Sequence, residues 1–74
     1  MTFKQYQKRL ASRIHDLRVE AGLSQEQAAQ QAGITRQHYQ RLEGGTTNPT
    51  LETLVNIAKV LRQSLADLVT SVEK

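Results

Sequence analysis

The sequence predicts an all-α fold, a compact domain of five short helices joined by tight turns. Apolar residues recur at spacings of three and four, which is the period of a helix and not of a strand. Residues that begin and end helices, namely Ser, Thr and Gly, stand at the borders of these apolar segments. With 74 residues and no linker or internal repeat, the chain is predicted to form one domain over residues 1–74.

The first predicted helix is amphipathic and ends at Gly22. A glycine after the last turn can adopt the left-handed conformation that closes a helix, and Leu23 is placed to fold back on that turn. The apolar stripe of this helix consists of Tyr6, Leu10, Ile14, Leu17 and Ala21.

The second and third helices are short and adjacent. Ser24 followed by Gln27 is a capping-box pattern, which predicts a helix that ends just before Gly33. Thr35 is an expected N-cap for a third helix that runs to about Glu43, where two glycines stop it.

The fourth and fifth helices follow a TTNP turn, whose proline keeps Asn48 out of the helical region. Thr50 can cap the fourth helix, and Ser64 with Asp67 three residues later can cap a short fifth one. The expected inward stripe of the fourth helix is Leu51, Leu54, Val55, Ala58 and Leu61.

The charge of the chain suits an anionic partner. Ten Lys and Arg against seven Asp and Glu leave +3, and the whole surplus lies in residues 1–20. Within that segment we interpret Lys4, Lys8, Arg9 and Arg13 as a solvated surface that adds long-range attraction to such a partner. The chain has no cysteine and no apolar run at its start that suits a signal peptide or a membrane span, which favours the cytoplasm.

The third helix carries the candidate binding residues. Ala28, Ala29 and Ala32 are small enough for the second helix to cross it closely, and Tyr39 with Leu42 gives it an inner stripe. Arginine and glutamine are the side chains that donate or exchange paired hydrogen bonds with guanine and adenine in the major groove. A helix, a tight turn and a second helix form the arrangement that enters this groove. The predicted base-reading residues are Arg36, Gln37, Gln40 and Arg41.

The stretch LSQEQAAQQAGITRQHYQRLEGGTTNPTLETLVNIAKVL resembles the Xre/Cro-type helix-turn-helix family, with the motif at about 24–43. The Ser-Gln opening, the alanines, the turn glycine, the Leu-Glu end and the Asn-Pro turn occur in order. The resemblance implies a lambda-repressor-like fold and a transcriptional regulator that acts as a homodimer on a palindromic operator in double-stranded DNA. RNA polymerase is a further candidate partner.

A short chain of this kind also resembles the controller proteins of restriction–modification systems. The alternatives are a phage-type repressor and an antitoxin-like protein-interaction module on the same fold. These alternatives share the helical framework and differ in what they bind or regulate.

The resemblance also implies contacts to DNA phosphates. Gln25 is placed at the N-terminus of the second helix, where free amides and the helix dipole favour an anion. Thr46, Thr47 and Asn48 match the loop that holds the DNA backbone, but they include no lysine or arginine, so a mild salt dependence is expected. For His38 a phosphate contact and simple exposure remain open.

Several other residues receive structural interpretations. The resemblance implies that Arg18 and Glu43 form a buried ion pair between the first and third helices. Tyr39 stands where the family commonly has a branched aliphatic residue, so its ring is expected to be partly buried with the hydroxyl at solvent or a phosphate. His15 is interpreted as an exposed helix residue. Two separated histidines and no cysteine give no metal site.

Surplus apolar residues at the C-terminal end predict a dimer interface. Ile57 and Val60 stand apart from the expected inward stripe of the fourth helix, and the fifth helix adds more apolar residues than a small core needs. Packing of Ile57 and Val60 within one chain is the alternative. The predicted interface residues are Ile57, Val60, Leu65, Val69 and Val72.

Enzymatic activity is not predicted. The sequence has no nucleophile–base pair, paired catalytic carboxylates or phosphate-binding glycine loop, and no cofactor is expected. Single-stranded RNA binding is disfavoured because the chain has few aromatic residues on which bases could stack.

Overall fold

The computed structural model describes residues 1–73 and contains five α-helices, which confirms the predicted fold class. Within these residues there is no β-strand. The helices are α1 Phe3–Glu20, α2 Gln25–Ala32, α3 Arg36–Gly44, α4 Leu51–Val60 and α5 Leu65–Thr70.

Every helix begins at a hydroxyl side chain that accepts a hydrogen bond from the amide three residues later. The predicted capping box of α2 is present, because Gln27 also accepts a bond from the amide of Ser24. A second capping box, between Thr2 and Gln5, begins α1 and was not predicted. The five N-caps are Thr2, Ser24, Thr35, Thr50 and Ser64.

The turns between the helices are tight because each contains a residue in the left-handed backbone conformation. Gly33 has a φ of 74° and joins α2 to α3, a conformation that costs a glycine little. Arg62, after α4, adopts a φ of 59° although it carries a side chain. Three of the four turns therefore contain a glycine in this conformation, and the turn between α4 and α5 contains an arginine instead.

The core lies where α3 packs between α1 and α2, and where α4 and α5 close over them. Its largest fully buried side chains are Tyr39, Ile14, Ile57 and Leu68. Tyr39 has no exposed surface at all, so the expectation of a partly buried ring was wrong. The ring lies on the inner face of α3, and the adjoining helices α1 and α2 cover it.

The orientation of α4 differs from the predicted one. Leu51 was expected to face inward but is 67% exposed, whereas Ile57 was expected at an interface and is 0% exposed. Thr53, Ile57 and Ala58 form the buried face, because α4 packs on α2 and α5 along that side. The assignment of Ile57 to a dimer interface is therefore corrected, and it belongs to the core.

Val72 requires the same correction. The helix α5 ends at Thr70, and Val72 lies in the following turn with only 3% of its surface exposed. The chain folds back there, so this side chain packs on the core of its own domain. The other predicted interface residues, Val60, Leu65 and Val69, are half-buried.

Candidate nucleic-acid interface

The helix α2 seats α3 through small side chains. Ala28, Ala29 and Ala32 are all buried in the contact between α2, α3 and the rest of the core. On α3 itself Tyr39 and Leu42 are buried, so this helix is anchored along one side. Its opposite side is consequently held at the surface of the domain.

The exposed side of α3 carries the four predicted base-reading residues. Spacings of one, three and four residues place them on one face of the helix. None of these four side chains forms a hydrogen bond with another residue in the range 1–73. This exposed polar face consists of Arg36, Gln37, Gln40 and Arg41.

The N-terminus of α2 offers backbone donors beside this face. The amides of Gln25 and Glu26 have no acceptor within residues 1–73, as expected for the first turn of a helix. The side chain of Gln25 turns inward, with Nε2 3.3 Å from Oε1 of Glu43. Its backbone, rather than its amide side chain, therefore supplies the free donor.

His38 is half-buried on α3. Its backbone amide donates to Oγ1 of the cap residue Thr35 at 3.0 Å. The amides of the first two residues of α3, Arg36 and Gln37, have no acceptor within residues 1–73.

The turn after α3 is fixed to α1. Nε2 of Gln7 donates to the carbonyl oxygen of Thr47 at 2.8 Å, a contact that the sequence did not predict. The amide of Thr46 donates to the carbonyl oxygen of Arg41, where it closes α3. Among the described residues, the amides of Thr47 and Asn48 have no acceptor.

A buried cluster around Glu43 joins α1, α2 and α3. Nε of Arg18 lies 2.6 Å from Oε2 of Glu43, and Nη2 of Arg18 lies 3.2 Å from Oε1. Nη1 of Arg18 also donates to the carbonyl oxygen of Leu23 at 2.7 Å. Arg18 and Glu43 thus form an ion pair. The carboxylate of Glu43 also accepts a hydrogen bond from Nε2 of Gln25.

The ionisation of this cluster follows from its hydrogen bonds. Burial raises the pKa of Glu43, but the hydrogen bonds that its carboxylate accepts, the largest contribution being that of Arg18, outweigh burial and lower the pKa to about 2. The hydrogen bond to Glu43 raises the pKa of Arg18, so both partners carry charge. Burial raises the pKa of the Tyr39 hydroxyl, which has no hydrogen-bond partner within residues 1–73 and stays neutral.

His15 belongs to the same cluster, although the sequence indicated only an exposed helix residue. Its side chain is 53% exposed, yet Nδ1 lies 2.9 Å from Oε1 of Glu43. Its position three residues before Arg18 was the available signal, because such residues share a helix face and can reach one partner.

Within residues 1–73, no helix is long and apolar enough to cross a membrane. Over the same residues, no three His, Cys, Asp or Glu side chains group closely enough to hold a metal ion.

A family model described as helix-turn-helix matches residues 14–68. The chain belongs to this helix-turn-helix family. The matched residues include the whole of α2, α3 and α4, and therefore the exposed polar face of α3 and the turn that follows it.

Two curated relatives and one solved structure resemble the chain. It is 41% identical over 63 residues to the cryptic phage CTXphi transcriptional repressor RstR of Vibrio cholerae, covering 85% of this chain and 57% of that protein. It is 37% identical over 67 residues to the HTH-type transcriptional regulator y4dJ of Sinorhizobium fredii, covering 90% and 87%. The restriction–modification controller protein C.AhdI from Aeromonas hydrophila superposes with a TM-score of 0.81 at 29% identity, covering 84% and 94%.

Proposed function

We propose that this protein is a sequence-specific DNA-binding transcriptional regulator that acts as a homodimer on a palindromic operator. The observation that carries the proposal is the exposed polar face of α3, whose side chains are not engaged within the described domain. Membership of the helix-turn-helix family supports the same conclusion.

In this proposal α3 lies in the major groove. Arg36 and Arg41 donate pairs of hydrogen bonds to guanine, and Gln37 and Gln40 pair with adenine. The buried side of α3 prevents the helix from turning in the groove, because Tyr39 is fixed in the core. The helix therefore presents its four polar side chains to the bases in one orientation.

The DNA backbone is held on both sides of the groove. The unbonded amides of Gln25 and Glu26 bind one phosphate at the N-terminus of α2. The unbonded amides of Thr47 and Asn48 bind another on the far side, with the Thr46 side chain beside them. His38, on α3, makes a further contact with a phosphate of the DNA backbone.

Dimerisation is proposed through the half-buried apolar residues Val60, Leu65 and Val69. Leu65 and Val69 are four residues apart and share a face of α5. A two-fold axis through this surface makes it self-complementary. It would set two copies of α3 roughly 34 Å apart, one turn of DNA, so that each meets one half-site.

The specific role we favour is control of a restriction–modification locus in a prokaryotic cytoplasm. The likeness to C.AhdI supports this role, since the match spans 94% of that controller. The identity to the phage repressor RstR supports a phage-type repressor as a second candidate, although the chain spans only 57% of that protein. The distance of the operator from the promoter would decide whether the bound dimer meets RNA polymerase.

A selection experiment tests the proposal. The protein is incubated with a random duplex library and excess competitor DNA, and bound duplexes are sequenced after several rounds. We expect enriched sequences with two inverted half-sites about one helical turn apart. No enrichment would contradict the proposal and favour a protein-interaction module on this fold.

The position of the selected sequence in the genome separates the two candidate roles. A site upstream of the protein's own gene and of an endonuclease gene would support the controller. A site among phage genes would support the repressor.

A further inference from the structure

A cationic cleft lies beside the turn that follows α3. Lys4, Gln7 and Lys8 of α1 line one wall, and Gly45 and Thr46 of the turn line the other. Both lysines are exposed, and neither forms an ion pair with a residue in the range 1–73. Their charge is therefore not neutralised within the described domain.

Close contacts hold the two walls of this cleft, α1 and the turn, against each other. A Cβ atom on Gly45 would lie 3.5 Å from Cα of Lys8, so the two backbones are nearly in contact. The bond from Gln7 to the carbonyl oxygen of Thr47 holds α1 in register with the turn. Lys4 and Lys8 are four residues apart on one face of α1, so both side chains line the cleft together with Thr46.

The turn itself has no charge to offer a phosphate. Its residues 44–50 include no Lys, Arg, Asp or Glu, and its unbonded backbone donors include the amides of Thr47 and Asn48. Lys4 also lies in the first turn of α1, where the helix dipole disfavours a cation and where no acidic residue compensates it. The stability of α1 therefore does not explain this lysine.

We propose that Lys4 and Lys8 form a phosphate-binding site for the DNA backbone that passes the turn Thr46–Asn48. This proposal rests on the proposed function, since it concerns the same DNA. The two lysines supply from α1 the positive charge that the turn lacks. The salt dependence of binding is then steeper than the turn alone predicts.

The test compares two doubly substituted proteins with the wild type. One carries Lys4→Gln and Lys8→Gln, and the control carries Lys59→Gln and Arg62→Gln, which removes the same formal charge from exposed residues outside the cleft. The binding constants for the selected operator and for random duplex are measured between low and moderate salt. Circular dichroism verifies that each protein is folded.

We expect the Lys4/Lys8 variant to reduce the slope of log K against log salt concentration by about 0.9 for each phosphate that the lysines no longer neutralise. Its affinity should fall by the same factor for operator and random DNA, because phosphate contacts carry no sequence information. The Lys59/Arg62 control should keep a larger slope than the Lys4/Lys8 variant. Adding Thr46→Lys to the Lys4/Lys8 variant should restore part of the slope.

Other outcomes separate the two proposals. A wild-type protein that binds DNA while the Lys4/Lys8 variant keeps the full slope would overturn this site alone. An equal decrease in the control variant would also overturn it, since general attraction would then explain the effect. A folded wild-type protein without DNA affinity would overturn the proposed function together with this site.

Discussion

Nε of Arg18 lies 2.6 Å from Oε2 of Glu43, and this contact joins α1 to the last turn of α3. The side chain of Glu43 is 4% exposed and that of Arg18 is 12% exposed, so the pair is shielded from water. The carboxylate of Glu43 also accepts a hydrogen bond from Gln25 at the start of α2. One buried carboxylate therefore links α1, α2 and α3.

Removal of that carboxylate should destabilise the fold. Glu43→Ala leaves Arg18 desolvated without a partner, which typically costs ~3–5 kcal/mol. For a domain of this size we expect the melting temperature to fall by more than about 10 °C, with DNA binding abolished through unfolding. Glu20→Ala, at an exposed carboxylate of α1, is the matched control. An unchanged melting temperature in Glu43→Ala would disprove the structural role of the pair.

Acid should weaken the fold through the same residue. The pKa of Glu43 is about 2 in the fold against an ordinary 4.5, so its stabilising contribution is present above pH 4.5 and is lost as the pH falls towards 2. Between pH 6 and pH 3 the decrease should be on the order of 2 kcal/mol in the free energy of unfolding. Urea unfolding at both pH values measures it. Glu43→Gln should lack this part of the acid dependence, and an identical dependence in both proteins would refute the assignment.

The proposed dimer can be tested at α5. Val69 is half-buried at the surface, and Val69→Glu should give a folded monomer with severely weakened operator binding. Sedimentation of the wild type at micromolar concentration should show a dimer. Thr70→Glu, which adds the same charge at an exposed neighbour, is the control.

The core position Ile57 provides a contrast with Val69. Since Ile57 has no exposed surface, Ile57→Glu should unfold the domain and not merely separate two subunits. A wild-type monomer whose operator affinity is unaffected by Val69→Glu would reject the dimer.

The helix boundaries could be predicted because their signals are local. Ser24 with Gln27, Gly33 and Thr35 each act within a few residues, and the ends of α2 and the start of α3 follow from them. The buried side of α3 could be predicted equally well, since Tyr39 and Leu42 are the only large apolar residues of this helix.

The buried face of α4 could not be derived in the same way. Leu51, Leu54 and Val55 fit one inward stripe, while Ile57 fits another that overlaps it. The choice between the two depends on how α4 packs against α2 and α5, which is tertiary information. The sequence therefore indicated that α4 is a helix without indicating its rotation.

The distant contacts of long polar side chains were the other feature that the sequence did not predict. The side chain of Gln7 forms a hydrogen bond with Thr47, 40 positions away along the chain. The side chain of His15 forms one with Glu43, 28 positions away. No local pattern predicts the partner of Gln7, whereas the position of His15 three residues before Arg18 was the one available signal for its contact with Glu43. The contacts of Gln25 with Glu43 and of Gln7 with Thr47 became visible only in the folded domain.

The proposed function requires that the exposed polar face of α3 reads DNA bases. Arg36→Ala and Arg41→Ala each remove an exposed side chain without an intramolecular bond in the described residues, so folding should be unaffected. Each substitution should cost about 1–3 kcal/mol of binding to the operator and relax the preference at one base position per half-site.

The most direct measurement is the ratio of operator to random-duplex affinity for wild type, Arg36→Ala and Arg41→Ala at one salt concentration. We predict that this ratio falls roughly 5- to 150-fold in each variant, as a loss of about 1–3 kcal/mol requires, while the affinity for random DNA changes little. An equal decrease on operator and random DNA would identify phosphate contacts and contradict base reading by α3.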